Sequence, residues 1–137
     1  MDFSYLQDLN YLAILVSAVA YWIIGALWYS PILFGKVWGN IVQPSEEARK
    51  KMGQSMILSF VGFFVICWIM ALFVTHLVPA DMVRGIKIAV AAAVGFMFLP
   101  KLVNKLYANT SMTILLVDAG YHLVGFVLAA IILTSWT

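Results

Sequence analysis

The chain has 137 residues, 64% of them apolar and 10% charged, where soluble domains carry roughly a quarter charged residues. That length excludes two globular domains, and 8 basic and 6 acidic side chains cannot coat so apolar a particle in water without leaving large exposed patches. A net charge of +2, scattered along the chain, also excludes the basic stripe that neutralises nucleic-acid phosphates.

Lipid is the solvent this composition fits. At roughly 20 apolar residues per crossing, four crossings take about 80 residues and leave short loops. Met1 to Asn10 carries Asp2 and Asp8 but no Lys or Arg, the reverse of a signal peptide's basic opening, so the first hydrophobic run is expected to be retained. That run, Tyr11 to Tyr29, holds no charge and is long enough to cross as a helix. Pro31 ends it by lacking a donor and pushing Ser30 out of the helical region, while Trp28 and Tyr29 suit the membrane interface. The following stretch, ILFGKVWGNIVQP, sets apolar anchors beside Lys36 and is expected to lie along the interface.

Ser45 is a suitable N-cap, with Glu46 and Glu47 in the first turn where the helix dipole favours anions. Arg49, Lys50 and Lys51 follow as a basic cluster. The second span runs from about Met56 to Val78, apolar on every side, and Pro79 closes it. It contains Cys67, the single cysteine, which rules out an internal disulfide or a multi-thiolate metal site and reads as a small hydrophobe.

Asp81 is placed to cap the third span, about residues 82–105, whose uncharged core from Ile88 to Leu99 is short. Arg84 and Lys87 must snorkel at one end, and Pro100 predicts a kink at the other. The fourth span, residues 112–136, contains Asp118 and His122. The expected fold is therefore all-α: a polytopic integral membrane protein with four transmembrane helices in a compact bundle, a single domain over residues 1–137, and an interfacial segment between the first two helices. Six basic residues fall on the side of loops 31–55 and 106–111, against Arg84 and Lys87 on the other. The positive-inside tendency places those loops in the cytoplasm of a cell with this protein in its inner membrane, and both termini outside.

Asp118 and His122 are four residues apart, on one helix face, and can interact directly. A carboxylate and an imidazole inside a membrane are the parts of a proton relay. A structural reading stands beside it: with a turn centred near Asn109 and Thr110, hairpin register sets Lys101 level with Asp118, so the two would neutralise each other as an ion pair. His76, level with the headgroups, suits an interfacial hydrogen bond better than a metal, which needs three or four converging ligands.

Along the first span Ser17, Tyr21, Gly25 and Trp28 form a mildly polar stripe, read as a packing face, with an aromatic cage for a cation as the alternative. Gly85, Ala89 and Ala93, then Ala91 with Gly95, and Gly125 with Ala129 repeat small residues every four positions and are candidate packing faces, as is Gly120. There is no phosphate loop, no HExxH pair and no nucleophile elbow. No catalytic residue, cofactor or metal is expected.

The run Gly25-Ala-Leu-Trp28-Tyr29-Ser30-Pro31-Ile-Leu-Phe34-Gly35-Lys36-Val-Trp38, with Asp118-Ala-Gly120-Tyr121 in the last helix, resembles the small bacterial membrane proteins catalogued as domain of unknown function 1761. The resemblance implies a compact polytopic protein and carries no established activity, substrate or cofactor. Three functions fit the residues. The first is a non-enzymatic module that self-associates or packs with a larger partner among membrane lipids. The second is a small oligomeric transporter or channel using Asp118 and His122. The third is lipid or isoprenoid binding at the aromatic cytoplasmic boundary, where Trp28, Tyr29, Phe34 and Trp38 lie near the basic cluster.

Overall fold

The two expected N-caps, Ser45 and Asp81, both cap their helices. The computed structural model describes residues 2–77 and 81–136. Helix α1 (Tyr11–Trp28) opens on Asn10, whose side chain accepts from Ala13 N. The same side chain donates to Trp136 O at 2.8 Å, joining the start of the first span to the end of the last. Ser45 caps α3 (Glu46–Lys50), Asp81 caps α5 (Met82–Ala92) and Ser111 caps α7 (Met112–Ser135), each satisfying an N–H that the helix itself leaves orphaned.

The interfacial segment contains its own helix, α2 (Gly35–Val42). The chain reverses from α1 into α2 through a tight turn in which Ser30 O accepts from both Leu33 N and Gly35 N, and Phe34 N bonds back to Trp28 O. Gly35 is required there: a Cβ would lie 2.6 Å from the Ser30 carbonyl carbon, which belongs to backbone and cannot move aside.

Helix α4 (Met52–Leu72) begins one turn earlier than its charge-free core suggests and passes into a π-helical turn, Phe73–Leu77. Val78 and Pro79, the expected end of this span, lie outside the described residues. The third span is α5, a π-helical stretch Ala93–Phe98, and α6 (Leu99–Tyr107). The irregularity expected at Pro100 thus lies ahead of it, and the helix continues through the proline. Pro100 offers no N–H to the Phe96 carbonyl and its ring crowds that oxygen, so the backbone widens in the preceding turn. Together these make four helices long and apolar enough to cross a membrane, Tyr11–Trp28, Met52–His76, Met82–Tyr107 and Met112–Ser135.

The four spans form a compact bundle in which α1 packs on α4 and α7, and α5 packs on α7. Close approach is set by small residues, as expected where lipid supplies no hydrophobic drive between helices. Gly125 lies against the Tyr21 ring, Gly25 against Tyr121, Gly120 against Trp28 and Gly85 against Thr134. Ala89, Ala93 and Ala129 are buried. Tyr21 is 0% exposed, stacked on Phe63 with ring centroids 4.7 Å apart and edge-on to Tyr121 at 5.2 Å. Ser17 Oγ is buried without a hydrogen-bond partner among the described residues. Ser17→Ala is therefore expected to leave stability unchanged or raise it by about 1 kcal/mol. The midpoint of denaturant unfolding in micelles measures this, and a clear loss of stability would show that the hydroxyl is satisfied.

Candidate functional site

The polar groups inside the bundle meet where α1, α6 and α7 adjoin. Helical spacing puts Tyr29 two turns beyond Tyr21, and puts Asp118 and His122 one turn apart on α7. The Tyr29 hydroxyl donates to Asp118 Oδ1 at 2.5 Å, and Lys101 Nζ lies 3.6 Å from Asp118 Oδ2, the neighbour that hairpin register places level with it. The Tyr21 hydroxyl is hydrogen-bonded to His122 Nδ1 at 2.5 Å. Asp118 and His122, which share a face, thus each bond a different tyrosine, Tyr29 at the C-cap of α1 and Tyr21 within it. Tyr121, between them in sequence, donates to Tyr21 O at 3.1 Å, and Trp28 Nε1 donates to Val117 O at 3.0 Å.

This network accounts for the placement of the Gly25 to Trp38 motif. Trp28 and Tyr29 are fastened to α7, the Ser30-Pro31 turn follows, and Phe34 packs on Trp28 with centroids 4.9 Å apart. Trp38 lies edge-on to Tyr29 at 6.2 Å. His76 stands apart from all of this: its Nε2 is 3.1 Å from Tyr5 O, in the segment ahead of α1. Among the described residues no three His, Cys, Asp or Glu side chains converge as metal ligands.

Beside the network, α1 and the first half of α4 enclose an open-sided cavity of about 480 Å³, within the usual range of roughly 300–1,000 Å³ for small-molecule sites. Trp22, Tyr29, Trp38, Phe63 and Tyr121 line it with aromatic faces, and Met52 and Met56 with flexible thioethers. Each of residues 52–59 is exposed, so the α4 wall of the cavity is not covered by the rest of the bundle. Several polar atoms on its wall are already engaged: Ser59 Oγ donates to Ser55 O at 2.7 Å, Trp22 Nε1 to Met56 O at 3.1 Å, and the two tyrosine hydroxyls to Asp118 and Tyr21 O. What remains is an apolar, adaptable surface suited to a hydrocarbon or ring system.

Sequence reasoning named Tyr29 and Trp38 as part of an interface motif. It missed Trp22, Phe63 and the α4 wall, which are distant in the chain and carry no motif.

The family described as Protein of unknown function (DUF1761) matches residues 12–134, a stretch that includes the tight turn, the cavity wall and the Asp118 network. No curated protein matches the chain, and no solved structure does.

Proposed function

The chain belongs to the DUF1761 family, whose description assigns no activity, and from that premise we propose a non-enzymatic, multi-span module of the inner membrane that holds the apolar part of a membrane amphiphile between α1 and α4. The observation that carries this reading is the 480 Å³ cavity: it is open-sided, its α4 wall is exposed, and it presents contact area in place of reactive groups. The ionisable side chains inside the bundle support a non-enzymatic role, since Asp118 is held by Tyr29 and Lys101, and His122 by Tyr21. Transport through Asp118 and His122 would require those bonds to exchange partners. The excess of basic residues at the cavity's end of the bundle supports a cytoplasmic location for that end and outward termini.

Self-association is a second reading favoured by a separate observation. Of the two small-residue faces on the third span, Gly85, Ala89 and Ala93 are buried within the chain, whereas Ala91 and Gly95 are exposed and a Cβ on Gly95 would meet nothing within 4 Å. Such a face lets a second helix approach closely.

Native mass spectrometry of gently extracted protein tests both. The wild type is expected to retain lipid, and Ala26→Phe with Ser59→Phe, which fill the cavity, to lose it. Equal retention by the filled variant would overturn the cavity reading. In the same spectra, a dimer that disappears in Gly95→Leu supports the second reading, and a monomer throughout removes it.

A further inference from the structure

Resting on that reading of the cavity, we infer that its occupant is an anionic lipid, seated with its chain between α1 and α4 and its headgroup among the basic side chains of residues 36–51. The cavity has two unlike ends. Toward the middle of the bundle it is lined by the apolar Phe63 and by Tyr121; toward the other end it reaches Trp38 of α2 and Met52 at the start of α4. A polar headgroup therefore has one place to go, the latter end, where the flanking chain is basic. Lys36 precedes Trp38 by two residues, and Arg49, Lys50 and Lys51 run directly into Met52.

The acidic residues of this segment do not cancel that charge. There are four basic residues to two acidic ones between 31 and 55, and Glu47 is engaged by Lys51 at 3.3 Å on the exposed surface. Among the described residues Lys36, Arg49 and Lys50 form no ion pair. A cationic ligand would gain from the aromatic walls but would have to pass these charges, and the carboxylate bonded to the cavity's Tyr29, Asp118, already faces Lys101. The same end of the bundle carries six of the eight basic residues, which by the positive-inside tendency turns it toward the leaflet where anionic lipids are abundant.

The test offers delipidated, reconstituted full-length protein an equimolar mixture of phosphatidylglycerol and phosphatidylcholine with identical chains and reads the retained lipids by native mass spectrometry. The wild type is expected to favour phosphatidylglycerol by about fivefold for each basic side chain that engages the headgroup. The variant K36Q/R49Q/K50Q/K51Q is expected to bring the ratio toward one with total retained lipid unchanged. Excess water-soluble glycerophosphate is expected not to displace the lipid. A wild type that retains both lipids equally, or a charge-neutralised variant that keeps the preference, overturns the anionic headgroup while leaving the cavity reading in place. Displacement by glycerophosphate assigns the basic segment to a soluble phosphate and overturns the lipid. Retention of neither lipid defeats the cavity reading, and this inference with it.

Discussion

Replacing Gly125 by alanine is expected to destabilise the bundle by about 2 kcal/mol, within the usual cost of overpacking a filled core. The added Cβ would lie 2.5 Å from Tyr21 Cζ and 2.6 Å from Cε2, far inside contact distance. Tyr21 has nowhere to retreat: it is fully buried, stacked on Phe63 and hydrogen-bonded to His122. Either α7 moves away from α1 or the ring abandons both partners. Alanine also favours helix over glycine by up to about 1 kcal/mol, so the measured loss is the steric cost less this gain. Gly62→Ala is the control, because nothing lies within 4 Å of its Cβ position and the propensity gain should appear undiminished. Steric-trapping measurements of unfolding in bicelles compare the two; a Gly125→Ala protein as stable as Gly62→Ala would refute the close seating of Tyr21 on α7.

The second large effect is an asymmetry across the Asp118–Lys101 pair. Lys101→Met removes the countercharge from a carboxylate that is 24% exposed and has no long stem with which to reach water. Asp118→Asn leaves an amide oxygen able to accept from Tyr29, and a lysine that can snorkel outward along its stem. Removing one member of a well-buried pair costs roughly 3–5 kcal/mol. Partial solvent access at both side chains lowers the expected loss for Lys101→Met to about 2 kcal/mol, with Asp118→Asn costing less. The double variant should recover most of what Lys101→Met loses. Yield of folded, monodisperse protein and thermal unfolding in detergent give the comparison. A double variant no more stable than Lys101→Met would show that the pair is not what couples the two residues.

What could be read from the sequence follows from which forces are local. The four spans, the caps at Ser45 and Asp81, and the Lys101–Asp118 register depend on residues near one another in the chain or related by a single turn, so periodicity and hairpin arithmetic reach them. Helix α2 was legible only as an interfacial segment, because Gly35 and Gly39 lower helix propensity while Phe34, Val37, Trp38 and Ile41 keep the spacing of an apolar helical face. The bonds from Tyr29 to Asp118 and from Tyr21 to His122 join residues 89 and 101 positions apart, and only the packing of α1 on α7 determines them. The cavity was illegible for a related reason. It is a space left where the first turns of α4 stand away from α1, and no residue on its wall announces an absence of neighbours.

The fastening of α1 to α7 bears on how the chain is made. Asn10 holds the carbonyl of Trp136, and Tyr21 of α1 and Tyr29 at its C-cap find their polar partners on α7. A ribosome delivers α1 before α7, so α1 waits in the bilayer for α7 before its polar stripe is satisfied. Until then Tyr21 and Tyr29 are open to other companions in the membrane. Assembly of this bundle is accordingly closed late, when α7 arrives and locks α1.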